Sequence, residues 1–255
     1  MSGSNSGTNS GDKMRDPNFI EYLRMIRSYE LEQVASMLPE QGRILELGAG
    51  TGYQAKLLAQ RGYEVIAIDL KSSEYLHVRE WEVQVYDGKH IPCDSESIDC
   101  VFSSNVLEHV QEPIVIHNEI RRILKPNGFA VHIMPNTLWR VVNSLGRPAR
   151  IPNRWKWVLV QQRPLLWKMG RLLRVTAGQL KVMFDRHGER GNVFSELWYF
   201  SATAWKRHFR AYGFDVAEIR PLGIFYTRRT SYGYTTGNRT ASENCTLGRQ
   251  RNPCV

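Results

Sequence analysis

No uninterrupted apolar run in the 255-residue chain approaches the ~20 residues a membrane-spanning helix needs, which excludes a helical integral membrane protein. Cysteine is scarce. Cys93, Cys100, Cys245 and Cys254 form no C-x-x-C pair, so no disulfide framework or thiolate metal site is indicated, and no secretory signal is visible. The expected compartment is therefore the cytoplasm. No internal repeat is found, and no His/carboxylate group has metal-ligand spacing, so metal-independent chemistry is expected. Negative charge is missing from one long stretch: between Leu138 and Phe184 there are ten Lys/Arg and no carboxylate. Residues 1–137 carry a net charge of −6 and residues 138–229 a net of +13, within an overall +9. One-signed clustering of this kind concerns a partner more than a fold.

The remaining composition is that of a globular chain, with 42% apolar and 23% charged residues, long enough for one large domain or a domain with an insertion. Residues 1–15 read as a flexible leader, Ser/Gly/Asn-rich through position 12. Phe19, Tyr22, Leu23, Ile26 and Tyr29 recur at helical spacing, which predicts a helix over 18–38, ended by Pro39 and Gly42. Short apolar strands follow at 43–47, 64–69, 82–86, 98–103 and 129–134. Helical stretches at 53–61 and 113–124 alternate with them, and Asn127-Gly128 supplies a turn. Residues 138–195 break this rhythm. It returns with a helix at 201–212 and strands at 214–220 and 223–229, before a Thr/Asn/Gly/Arg-rich tail at 230–255 that reads as disordered. The expected fold is α/β: a doubly wound, mostly parallel seven-stranded sheet with helices on both faces and an inserted helical lid.

The segment ILELGAGTGY (44–53) carries the most chemistry. A hydrophobic strand delivers Glu46 and then Gly48, Gly50 and Gly52 at alternate positions, directly before a helix. Glycine is needed where the backbone turns sharply or a ligand lies against main chain. A dinucleotide fingerprint would read G-x-G-x-x-G; here the spacing is G-x-G-x-G, and a carboxylate precedes the bend. That acid would repel a phosphate and suits a ligand bearing an ammonium and a sulfonium. Asp69 closes the second strand, where an acid accepts ribose hydroxyls. Asp87 follows the third strand, placed to accept an adenine amine. Ser103-Ser104-Asn105 ends the fourth at the sheet's carboxyl edge, where open α/β sheets bind ligands.

These motifs in order resemble the class I S-adenosylmethionine-dependent methyltransferases, in particular their small-molecule branch. ILELGAGTG is similar to the first family motif, EVIAID to the second, and YDGKHIPCDSESIDCVFSSNVLEHV to the stretch through the fourth strand. ILKPNGFAVHIMPN and FSATAWKRHFRAYGFDVAEIRP resemble the fifth-strand motif and the closing helix and strand. The resemblance covers about 40–135 and 199–229, within an expected methyltransferase domain over 16–229. It implies S-adenosyl-L-methionine as cofactor, with Glu46, Gly48, Gly50 and Gly52 around its methionine moiety. Asp69 would then take the ribose, Asp87 the adenine amine, and Asn105 would lie near the methionine end.

A hydroxyl acceptor also needs a proton acceptor. His109, in the NVLEHV run, is a candidate, with local packing as its alternative. His187, Glu189 and Tyr199 are candidates for the acceptor side, with ordinary loop roles as their alternative, and His132 reads as a core-edge histidine. The Asn/Asp-Pro-Pro-aromatic run of base amino-methyltransferases is not found after the fourth strand, and neither is a Pro-Cys nucleophile.

The basic insertion couples Trp155, Trp157 and Trp167 with Arg150, Arg154, Lys156, Arg163, Lys168, Arg171, Arg174 and Lys181. After Pro164, Leu165, Met169, Leu172 and Thr176 follow helical spacing, with Lys168, Arg171 and Arg174 along a neighbouring face. Residues 147–184 could cap the cleft with a solvated basic face, or meet an anionic membrane surface, a soluble anionic metabolite or RNA. The expected function is methyl transfer to an oxygen, less readily a nitrogen or carbon, of an acidic or membrane-associated small molecule, lipid or glycan. The rivals are an RNA methyltransferase and a non-catalytic cofactor-binding or membrane-adaptor module. Placement is then cytoplasmic or peripheral at the inner face of a membrane, and the oligomeric state is left open.

Overall fold

β1 (Arg43–Leu47) lies between β2 (Glu64–Leu70) and β4 (Ile98–Ser104), parallel to both, so its residues from Ile44 to Leu47 have strand partners on both sides. This computed structural model describes residues 16–146, 151–183, 193–223 and 243–250. β3 (Gln84–Tyr86) extends the parallel sheet beyond β2, and β5 (Leu124–Pro135) extends it beyond β4. β7 (Glu243–Gln250) pairs antiparallel with both β5 and β6 (Phe214–Pro221), which gives the order β3-β2-β1-β4-β5-β7-β6.

Both faces of the sheet are covered, and alternate strand residues divide between them. Leu45, Leu47 and Val101 pack with α3 (Pro113–Ile123) and α8 (Ala202–Ala211). Ile44, Cys100 and Phe102 pack with α1 (Pro17–Val34) and α2 (Tyr53–Gln60). A strand buried on both sides is apolar almost throughout, which is why the central strands read as continuous hydrophobic runs. His132 is a core residue of the α3/α8 face: it stacks on Phe209, its Nδ1 lies 2.7 Å from Ser103 Oγ, and burial pushes its pKa down to about 3.

Several boundaries differ from the sequence expectation. α1 starts at Pro17, capped by the Asp16 side chain, and stops at Val34; its last predicted turn is a 3-10 segment, Ala35–Met37. Asn127-Gly128 is no free turn. β5 begins directly at Leu124, and those residues fill a bulge, since Ile98 pairs Leu124 whereas Cys100 pairs Phe129. The closing strand is at Glu243–Gln250, inside the stretch read as a disordered tail, because the open edges of β5 and β6 both hydrogen-bond to it. The expected strand at 223–229 falls almost wholly outside the described residues, as do the leader at 1–15 and the tail segments 230–242 and 251–255.

Between β5 and α8 the described residues of the insertion form four helices: α4 (Thr137–Gly146), α5 (Ile151–Val160), α6 (Leu165–Met183) and α7 (Val193–Tyr199). Arg140 of α4 and Glu196 of α7 form an ion pair at 2.6 Å with both side chains buried. Thr137 Oγ1 also donates to the Leu197 carbonyl at 2.8 Å, so α4 and α7 cap the carboxyl end of β5 together. No helix among the described residues is long and apolar enough to cross a membrane.

Candidate functional site

The glycine bend joins β1 to α2 at the carboxyl edge of the sheet. Gly48, Gly50 and Gly52 all have left-handed φ angles (71°, 56° and 74°) that L side chains rarely adopt. Space adds a second constraint at two of them. A Cβ on Gly48 would stand 2.5 Å from Val106 Cγ2, and one on Gly52 would stand 2.8 Å from Trp81 Cβ. The bend is anchored to β2, since the Gly48 and Ala49 amides donate to the Ile68 carbonyl and the Gly50 amide donates to Asp69 Oδ2 at 3.0 Å. Asp69 also accepts the Ser73 hydroxyl at 2.6 Å and its neighbour's amide, that of Leu70.

Glu46 sits under this bend on the α1/α2 face and is only 3% exposed. The Ala55 amide of α2 donates to its carboxylate, yet no described residue bonds to its Oε2. Burial pushes its pKa up to about 8, against the pull of Arg27. A buried, unpaired carboxylate oxygen is costly and calls for a donor.

Sequence reasoning missed the polar network above Glu46. α1 crosses the carboxyl ends of β1 and β4 and brings Arg27 and Glu30 onto Ser104. Arg27 donates to Ser104 Oγ at 2.6 Å and pairs with Glu30 at 2.7 Å. Glu30 Oε2 accepts Ser104 Oγ at 2.9 Å and Gln54 Nε2 at 3.3 Å, and Asn105 Nδ2 reaches Glu30 Oε1 at 3.5 Å. One signal was available: Glu30 falls on the buried stripe of α1, with Ile26, Leu31 and Val34. An acid at a core-facing helical position announces a partner. Arg24 and Glu80 add an exposed fork between α1 and the β2–β3 loop, and the Glu80 amide donates to the Thr51 carbonyl, so α1 straps the bend from outside.

Asn105 follows β4 with a left-handed φ of 56°. In the 3-10 segment after it (Leu107–His109), Glu108 is buried and no other described residue donates to either of its oxygens. Its pKa also rises to about 8 through burial. His109 Nε2 lies 3.9 Å from Glu108 Oε1 while much of the imidazole stays open to solvent. Glu108 is the second group the sequence reading passed over, although it adjoins His109 in the chain.

Glu46, the three glycines, Asp69 and Asn105 are thus gathered at the carboxyl ends of β1, β2 and β4, with His109 one turn beyond. Asp87 ends β3 in an exposed turn, its Oδ1 accepting the Lys89 and His90 amides, which hold its carboxyl below the usual range. Tyr199 ends α7 and is 46% exposed, whereas Glu196 of the same helix is buried. His187 and Glu189 lie outside the described residues. Two cations of the basic insertion are not free surface charges: Arg140 is paired with Glu196, and Lys168 Nζ donates to the Leu159 carbonyl at the end of α5. Arg150 also lies outside the described residues.

A family model described as a methyltransferase domain matches residues 20–219. A biotin biosynthesis bifunctional protein of Cellvibrio japonicus is 34% identical over 106 residues, which is 38% of this chain and 21% of that one. A probable S-adenosylmethionine-dependent methyltransferase of Mycobacterium tuberculosis is 32% identical over 112 residues, 42% of this chain and 40% of that one. The chain therefore spans less than half the length of these curated relatives. The crystal structure of an S-adenosylmethionine-dependent methyltransferase from Aquifex aeolicus matches with a TM-score of 0.53 at 14% identity, covering 91% of this chain and 97% of that one. At that identity the likeness concerns the fold alone.

Proposed function

Since the chain belongs to the class I S-adenosylmethionine-dependent methyltransferase family, we propose that it moves a methyl group from S-adenosylmethionine to an oxygen of an acidic or membrane-associated small molecule, lipid or glycan. The observation that carries the donor half is the buried Glu46 Oε2 that no described residue satisfies, beneath a bend where added Cβ atoms would clash. The residues present fit the donor. Glu46 would take its ammonium, the bend its methionine moiety, Asp69 a ribose hydroxyl and Asp87 the adenine amine, with Asn105 beside the methionine end. When bound, the sulfonium supplies a methyl group already activated by its own positive charge.

The protein's work is then to position the acceptor, exclude water and receive a proton. The α4/α7 cap, held by its buried Arg140–Glu196 pair, walls the acceptor side above β5. His109 receives the acceptor's hydroxyl proton, with the buried Glu108 carboxyl group 3.9 Å behind it. An oxygen acceptor is favoured because it must lose a proton as it is methylated, and the solvent-open imidazole of His109 beside the site offers a place for that proton. The basic insertion favours an acceptor of negative charge.

Calorimetric titration with S-adenosylmethionine and its demethylated product tests the donor site. Absence of heat with the native chain would reject it. Incubation with methyl-labelled cofactor and fractionated cell extract then identifies the acceptor; label in nucleic acid, or only in an amine, would reject the oxygen reading.

A further inference from the structure

α5 and α6 form an antiparallel hairpin. Trp155 Nε1 on α5 donates to Thr176 Oγ1 on α6 at 3.0 Å, and nearer the turn Lys168 Nζ donates to the Leu159 carbonyl at 2.9 Å. The turn itself is residues 161–164. The hairpin buries little: Val158 is covered, whereas Val160, Leu165 and Leu166 around the turn are 80%, 73% and 83% exposed. Helix N- and C-termini ordinarily present polar residues to water, so three bare aliphatic side chains clustered at one tip form a patch that water disfavours. Trp157 and Trp167 are exposed beside them, and the Arg163 guanidinium lies over the Trp167 ring at 5.9 Å.

Charge narrows the choice of occupant. Residues 151–183 contain seven Lys/Arg and no carboxylate. A second copy of this hairpin would bring like charges together around the apolar tip. Single-stranded RNA would use the cations and the tryptophans, but leaves the aliphatic tip without a partner. A bilayer bearing anionic headgroups satisfies all three classes of side chain: aliphatic groups below the headgroups, indoles at their level, cations against the phosphates.

We propose that the α5–α6 hairpin is a docking element for an anionic lipid surface, inserting Val160, Leu165 and Leu166 and setting exposed cations such as Lys156, Arg171 and Arg174 against the headgroups. Lys168 is excluded from the cation set because it already caps α5. This deepens the functional reading on the partner side, yet stands whether or not the methyl donor binds.

The test is sedimentation of the full chain with phosphatidylcholine vesicles, with and without phosphatidylglycerol. The native chain pellets with the anionic vesicles and stays in solution with the neutral ones. Leu165→Ser with Leu166→Ser, two substitutions at surface positions, lowers the bound fraction roughly tenfold or more. Lys156→Gln with Arg171→Gln and Arg174→Gln does the same and removes the salt dependence. Both variants keep native cofactor titration, which shows that they are folded. Equal pelleting with both vesicle types, or no loss in either variant, overturns the proposal. So does RNA binding without vesicle binding, or a dimer that dissociates in the Ser variant without vesicle binding. Vesicle binding with no cofactor heat would sink the methyltransferase reading and leave the docking element standing.

Discussion

The Gly50 amide donates to Asp69 Oδ2 at 3.0 Å, so the glycine bend after β1 and the acid closing β2 are one unit. The acid fixes the bend and the bend fixes the acid. Removing the carboxylate therefore does two kinds of damage, to whatever Asp69 binds and to the shape of the bend beside it.

Asp69→Ala should weaken S-adenosylmethionine binding about 10- to 100-fold, the range expected for losing charge-assisted hydrogen bonds. Asp69→Asn keeps a carbonyl oxygen for the Gly50 amide and should lose less. Calorimetric affinities check the order; equal losses would mean that the side chain's charge is all that matters.

Cofactor affinity should rise with pH between about 6 and 8 and then level, because Glu46 is held near pKa 8 by burial. A raised carboxylate pKa favours the neutral form. Its stabilising contribution is complete below the unfolded value near 4.5 and fades as pH climbs through the folded value. An ammonium beside Glu46 favours the charged form, so binding releases a proton. Titration in buffers of different ionisation heat measures that release, and Glu46→Gln should abolish both the release and the pH dependence.

Gly48→Ala should destabilise the fold by about 1–3 kcal/mol and abolish cofactor binding, since the new methyl meets Val106 while φ stays at 71°. Adding Val106→Ala removes the clash but not the backbone strain, so the double variant should recover only part of the loss. Thermal unfolding distinguishes the two contributions, and full recovery would show that the dihedral angle costs nothing.

Glu196→Ala should cost roughly 3–5 kcal/mol, because it removes the buried carboxylate that pairs with the Arg140 guanidinium. Arg140→Met with Glu196→Leu should return most of that stability. If the double variant also keeps native methyl transfer, the pair serves only to hold α4 on α7; if transfer falls while stability returns, the pair shapes the acceptor side.

Much of this protein can be read along the chain. The strand–helix alternation, the three glycines in one bend and the acids closing β2 and β3 depend on local chemistry: period, φ and the residue types a turn accepts. These hold whatever the rest of the chain does. Partnerships between distant segments cannot be read in this way. Glu30 and Ser104 are 74 positions apart, and Glu30 on the apolar stripe of α1 announces a partner without saying that it lies at the end of β4.

The same physics explains β7. Glu243–Gln250 has only Cys245 and Leu247 as large apolar residues and reads as tail by composition, yet it becomes a strand because β5 and β6 each offer a row of unpaired backbone groups. The unpaired Oε2 of Glu46, the buried carboxyl group of Glu108 and the bare tip of the basic hairpin were likewise decided by packing. Burial belongs to the folded chain as a whole, whereas backbone propensity belongs to each residue, so the sequence alone determined the glycine cradle and its acids, and the tertiary structure decided which of those acids is buried with an oxygen left unpaired.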